Sequence, residues 1–177
     1  MTYLHVFFSC FVTSIFIFSF GLLSNNLILK IFKEDEILEN FILGIISLSI
    51  FSLFANFFTS LNIFFNSVVF LTSLIFLLKK NKTYYLKVFK YTLIISLISF
   101  ITIIFENTNR PDAGIYHLPF IKMLNDYPIV IGSANLNKGY GIISIIQYLS
   151  AINYNFITNT QGILIPLVII YSIKILF

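Results

Sequence analysis

The chain has 177 residues, of which 58% are hydrophobic and 10% charged, with a net charge of +4 at pH 7. A soluble domain carries about 25% charged residues, so this composition cannot cover a water-facing surface and excludes an ordinary soluble domain. A mean hydropathy of +0.95 points instead to an all-α, polytopic membrane protein whose loops alone are wet.

Tyr3–Leu23 is apolar and long enough to cross a hydrocarbon core of about 30 Å at about 1.5 Å per residue. It has no basic leader and no small-residue cleavage site, so it reads as a retained first helix rather than a signal peptide. His5 near its start is an interfacial, structural histidine, and Cys10, the single cysteine, is a small residue facing lipid or another helix. Residues 24–40 are mixed. Lys30 and Glu34 are spaced for an i, i+4 pair beside Leu27, Ile28 and Ile31, which suggests a short interfacial helix or ordered loop. Glu34, Asp35, Glu36 and Glu39 read as a solvated helix start, where acids favour the N-terminus, rather than as metal ligands.

Phe41–Leu78 carries no charge and as one helix would be about 57 Å long, so it must fold back. Asn56, Thr59, Ser60 and Asn62 place the hinge at Ala55–Asn62, between spans at Phe41–Phe57 and Ile63–Leu78. The next stretch holds Lys79, Lys80, Lys82, Lys87 and Lys90 without an acid. Short basic loops stay cytoplasmic, which puts 79–90 inside and, after a fourth span at Leu86–Phe105, puts 106–140 outside. A nucleic-acid role for these lysines does not fit their place between two spans, and Asn81-Lys82-Thr83 is a glycosylation pattern on the wrong side. Gly141–Phe156 and Gly162–Phe177 are expected as fifth and sixth spans, with Gln147 and Tyr148 facing other helices and Pro166 and Lys174 in the last. The expected organisation is a four-span bundle over 1–105, an external loop over 106–140, and two incomplete C-terminal spans over 141–177. The abrupt stop after the last span suggests a portion of a larger protein or a need for partner helices.

Residues 106–140 hold three of the seven acids, the only Arg, one of the two His and three of the four Pro, so chemistry is expected there. Pro111-Asp112 should begin a helix, with Asp112 as its N-cap. Ile115, Leu118 and Ile121 recur at helical spacing for an interfacial face. Pro119 should kink or end the first segment, and Tyr127-Pro128 should end the helix. From residue types alone, Asp112 is a cap, His117 an interfacial histidine and the loop a lid over the helices. The sequence holds no hydrolase triad, phosphate-binding glycine loop, zinc-spaced Cys/His set or dinucleotide glycine pattern, and no metal or cofactor is expected.

The run Asp112-Ala113-Gly114-Ile115-Tyr116-His117-Leu118-Pro119, then Lys122, Tyr127-Pro128-Ile129-Val130 and Gly132-Ser133-Ala134-Asn135-Leu136, resembles the first external loop of bacterial polytopic proteins of the GT-C glycosyltransferase superfamily. It is most similar to a group with an acid, a Tyr-His-Leu-Pro motif and a Tyr-Pro-Ile-Val motif, and more distantly to protein O-mannosyltransferases and the aminoarabinose transferase of lipid A. The resemblance implies a bacterial inner-membrane protein acting in cell-envelope glycan assembly with a polyprenyl-phosphate sugar as donor. It makes Asp112 the general base, with Arg110, Tyr116, His117 and Lys122 binding the substrate. Many members carry adjacent acids, whereas Ala113 follows Asp112 here, leaving Glu106 or Asp126 to supply a second. The resemblance also implies a larger membrane module than this chain holds. The competing expectation is a non-catalytic membrane subunit or transporter-like scaffold.

Overall fold

In the computed structural model, the described residues are 3–29, 36–105, 115, 117–132, 135, 138 and 144–176. They form seven α-helices and no strand: α1 (Tyr3–Ser24), α2 (Ile37–Asn56), α3 (Ile63–Leu78), α4 (Lys82–Phe105), α5 (Leu118–Asp126), α6 (Ile145–Ile152) and α7 (Gln161–Leu176). A π-helical turn at Asn25–Leu29 continues α1.

α1 is the axis, packing against α2, α3, α4 and α7. Its contacts give the neighbours' directions. Phe16 meets Phe70 and Ser19 meets Ser73, so α1 and α3 run parallel. Ser14 meets Ser96 and Phe7 meets Phe100, so α4 runs antiparallel to both. α2 crosses α1 back to back at two glycines. A methyl group on Gly21 would strike the Asn40 carbonyl oxygen, and one on Gly44 would strike the Ile17 carbonyl oxygen. Small residues of this kind let helix backbones approach closely where lipid supplies no hydrophobic drive between them.

The hinge between α2 and α3 lies where the sequence placed it. α2 stops at Asn56, and Asn62 caps α3 by accepting the Phe65 N–H at 2.9 Å. At the other end of α3, the basic stretch is mostly helix rather than loop. Asn81 accepts the Tyr84 N–H at 2.9 Å, so α4 starts at Lys82, and the loop shrinks to Lys79–Asn81. Asn81 is thus a helix cap in the structure. Glu36 sits at the N-terminal cap of α2 and Glu39 in its first turn, as the helix-start reading of these acids requires.

Among the described residues, three helices are long and apolar enough to cross a membrane: α1 with its π-helical extension, α2 and α4. This is fewer than the six spans expected. α3 and α7 have 16 residues each, about 24 Å. The expected fifth span is corrected outright. α6 has 8 residues, about 12 Å, because Ser144 caps it and the chain turns again at Asn153–Thr160. α7 is tied to α1 by Ser9 donating to Gln161 at 2.5 Å, and to α4 by Ser99 and Ser172 at 2.8 Å. Ser9 and Ser99 lie at about the same height in the antiparallel α1–α4 pair, while Gln161 and Ser172 are about three turns apart. α7 therefore runs obliquely across these two helices.

Candidate functional site

Of the residues singled out in the 106–140 segment, Arg110, Asp112 and Tyr116 lie outside the described residues, as do Glu106 and the expected helix start at Asp112. His117, Lys122 and Asp126 are described. The helix begins at Leu118, with Pro119 in its first turn. There the missing N–H costs no intrahelical bond and the fixed φ suits the start, so Pro119 opens the helix instead of kinking it.

α5 buries Phe120, Ile121, Leu124 and Asn125. Leu118, Lys122 and Asp126 are exposed, and so is Ile115. The buried face is rotated from the Ile115–Leu118–Ile121 repeat, because Phe120 and Leu124 carry the packing. Phe120 stands edge-on to Tyr148 of α6, 6.5 Å between ring centroids. Burial pushes the Tyr148 phenol above its ordinary range.

The C-terminal ends of α5 and α6 are held to the α2–α3 hinge by asparagine side chains. Asn66 Nδ2 lies within donor range of the carbonyls of Leu61 (2.7 Å), Ala151 (2.9 Å) and Tyr154 (2.7 Å). Asn125 Nδ2 donates to the same Leu61 and Ala151 carbonyls at 2.6 and 2.9 Å. Asn56 Nδ2 reaches the carbonyls of Thr59, Leu124 and Tyr127 at 3.1–3.2 Å. Backbone bonds from Leu61 N to Leu124 O and from Ile129 N to Asn56 O, both 2.9 Å, complete the clasp. These amides occupy carbonyls at helix ends that would otherwise need water. A second knot joins α6 to α7: Thr158 Oγ1 donates to the Asn153 carbonyl at 2.7 Å, and Gly162 packs so closely on that carbonyl that a methyl group would not fit.

His117 faces α6. Its Nδ1 lies 2.9 Å from Gln147 Nε2. Gln147 is oriented from its far side, because its Oε1 accepts the Ser144 N–H at 3.0 Å while Ser144 Oγ accepts the Ile146 N–H at 3.3 Å. With the amide oxygen engaged, Nε2 is the group facing the imidazole, so Nδ1 accepts and the ring proton is assigned to Nε2. Lys122 is about 140° round the helix from His117, so α5 directs the two side chains differently. Among the described residues, no group of three His, Cys, Asp or Glu is placed to hold a metal ion.

Sequence reasoning pointed to Gln147 only as a polar residue facing other helices. The Ser144–Gln147 spacing of a capping box was the signal for its role. The asparagine clasp gave no such signal beyond the position of Asn56 in the hinge.

An α-helical bundle with long apolar helices and a capped surface layer at one end defines the class: a helical membrane protein. Within that class the chain belongs to the family described as a domain of unknown function (DUF8201), which matches residues 3–177. No curated protein and no solved structure matches the chain.

Proposed function

We propose that the chain is the N-terminal part of an integral-membrane, GT-C-like glycosyltransferase that uses a polyprenyl-phosphate-linked sugar in the bacterial cytoplasmic membrane for cell-envelope glycan assembly. The observation that carries the reading is the Asp112–Pro119 motif, whose His117 sits on a helix laid against the hinge end of the bundle, held by Gln147. A lipid-linked donor presents its head group at such a layer.

In this reading Asp112 removes the proton from the acceptor hydroxyl, and the oxygen attacks the anomeric carbon. The bond from that carbon to the phosphate oxygen breaks, the centre inverts, and polyprenyl phosphate leaves with the bonding electrons. A carboxylate at a wet–dry boundary suits this role because desolvation raises its proton affinity. The leaving phosphate needs donors: Arg110, His117 and Lys122 supply the types required, with Tyr116 beside them in sequence. The chain crosses with the Lys79–Asn81 turn cytoplasmic and the α5–α6 layer external, and α3 crosses because it joins the hinge to that turn between two crossing helices.

The test is Asp112→Asn in the full-length protein, assayed for transfer from a polyprenyl-phosphate sugar. A loss of about 10²- to 10⁴-fold is expected for removal of a general base, and full activity at normal expression overturns the role. Sidedness is tested separately in a Cys10→Ser background: a cysteine at Lys80 should resist external labelling, and one at Asn135 should react.

One observation favours a second reading, a non-catalytic subunit or scaffold. The asparagine clasp fixes α5 firmly to the hinge, as a packing lid would require. Under that reading Asp112→Asn leaves transfer unchanged, and Asn56→Ala weakens association with partner helices.

A further inference from the structure

The turns that carry α5 and α6 expose large apolar side chains at their tips: Phe57 and Phe58 in the hinge, Val130 and Ile131 after α5, and Phe156 and Ile157 after α6. Phe58 is 86% exposed and Ile131 96%. In water this would be an unusual concentration of apolar surface on loops, which are ordinarily polar.

Much of the backbone of the hinge and of the turn after α6 is paired within the protein. Carbonyls of Thr59, Leu61, Leu124, Tyr127, Ala151 and Tyr154 are all met by the Asn56, Asn66 and Asn125 amides. The Phe156 N–H donates to Ser67 Oγ at 3.1 Å, and the Ile157 and Thr158 N–H groups to Asn155 Oδ1 at 3.0 and 3.1 Å. Irregular backbone survives at membrane depth only with its polar groups satisfied by protein.

Helix length points the same way. α3 spans 16 residues, about 24 Å, from the hinge to Lys79. The apolar part of α2 from Phe41 to Asn56 is equally short. With Lys79 and Lys80 at one head-group layer, the other end of α3 falls about 6 Å short of the opposite boundary of a core about 30 Å thick. The exposed Lys122 and Asp126 on the outward face of α5 then reach the head groups, because a helix is about 10 Å across.

We infer that the α2–α3 hinge and the turns after α5 and α6 are immersed in the apolar layer of the bilayer, with lipid acyl chains as the partner of Phe57, Phe58, Val130, Ile131, Phe156 and Ile157. The α5–α6 layer is then sunk into the leaflet opposite the lysine turn, and a lipid-linked molecule meets it sideways from the bilayer. This rests on the membrane placement given above and not on sugar transfer.

The chain has no tryptophan, so single tryptophans report cleanly. Phe58→Trp, Ile131→Trp and Phe156→Trp, with Leu71→Trp on the exposed side of α3 as reference, are placed in phosphatidylcholine–phosphatidylglycerol vesicles. Quenching is read with acyl-chain-brominated lipid and with aqueous iodide. The expected result is blue-shifted emission, bromine quenching comparable to Leu71→Trp, and shielding from iodide at all three sites. Iodide quenching without bromine quenching overturns the inference in favour of a water-facing layer. Shielding from both quenchers overturns it in favour of a protein partner or a second copy of the chain. If Leu71→Trp itself escapes bromine quenching, the membrane placement fails as well, which separates the two failures. Should a tryptophan variant fail to fold, Phe58→Cys in a Cys10→Ser background gives the same answer by its resistance to aqueous maleimide, and ready labelling overturns the inference.

Discussion

The α1–α4 bundle and the α5–α6 layer are built on different physics. In the bundle, backbones touch: Gly21 and Gly44 let α1 and α2 cross with no side chain between them, and serines bridge α1 to α3 and α4. In the layer, short helices pack on α2, α7 and each other, and side-chain amides fasten backbone carbonyls that no helix can pair. The first design depends on the absence of atoms, the second on the presence of particular donors. Substitutions should therefore fail differently in the two regions.

The largest effect is expected in the bundle. Gly44→Leu drives a side chain into the Ile17 backbone, which has no flexible group to yield. Overpacking costs about 1–3 kcal/mol where neighbours can move, and a backbone-to-backbone crossing should lie at or beyond the top of that range. Thermal unfolding in detergent should show a lower midpoint or loss of monodisperse protein. A wild-type midpoint would show that the α1–α2 crossing is not as close as described.

Next comes the layer. Asn66→Ala removes the amide facing the Leu61, Ala151 and Tyr154 carbonyls. Hydrogen bonds in membrane proteins average about 0.6 kcal/mol each in double-mutant cycles, and the NH2 has two hydrogens to share among the three carbonyls, so the loss should amount to about 1.2 kcal/mol. Asn66→Asp should be worse than Asn66→Ala, because a carboxylate accepts and cannot donate. The reverse order, measured by the same unfolding assay, would mean that the amide is not the donor.

How much of this was legible in the sequence follows the same division. The hinge could be placed because a charge-free stretch too long for one span must turn, and Asn56 to Asn62 were its polar residues. α1 and α2 followed from apolar length. The fifth span failed because length and apolarity cannot distinguish a crossing helix from a short buried one. Gln147, Tyr148 and Ser150 pack on the inside of α6, and Ser144 starts it late. The lysine-rich loop shrank because lysine and tyrosine are compatible with helix once Asn81 supplies a cap. The asparagines were hidden by their ordinariness. An Asn-rich composition looks like genome bias, and only the fold brings residues 61, 66, 125 and 151 together. Of the candidate site, His117 and Lys122 could be followed into the structure, and the reading of Asp112 still stands on the motif.

A milder change separates the layer from the bundle it rests on. Asn56→Ala frees the Leu124 and Tyr127 carbonyls and should loosen α5 while α1–α4 stay folded. Hydrogen exchange should rise across 118–132 and stay unchanged across α1. A uniform rise along the chain would mean that layer and bundle unfold as one unit.

The smallest expected effect tests the link between His117 and the cap of α6. Ser144→Ala removes an N-cap acceptor, a change that costs about 1 kcal/mol, and it leaves the Ser144 N–H free to keep its bond to Gln147 Oε1. Gln147→Leu removes both that bond and the amide facing His117. If the glutamine merely caps α6, the two variants should lower stability alike and leave His117 undisturbed. If it also orients the imidazole, Gln147→Leu alone should change the ring nitrogen chemical shifts that report the His117 tautomer, whereas Ser144→Ala should not. Gln147→Glu sharpens the comparison, because a carboxylate can still accept the Ser144 N–H but can meet His117 only as an acceptor, favouring a proton on Nδ1. A proton moved to Nδ1 in the ring nitrogen spectrum of Gln147→Glu, with α6 stability close to wild type, would show that one side chain sets both the start of α6 and the tautomer of the histidine beside it.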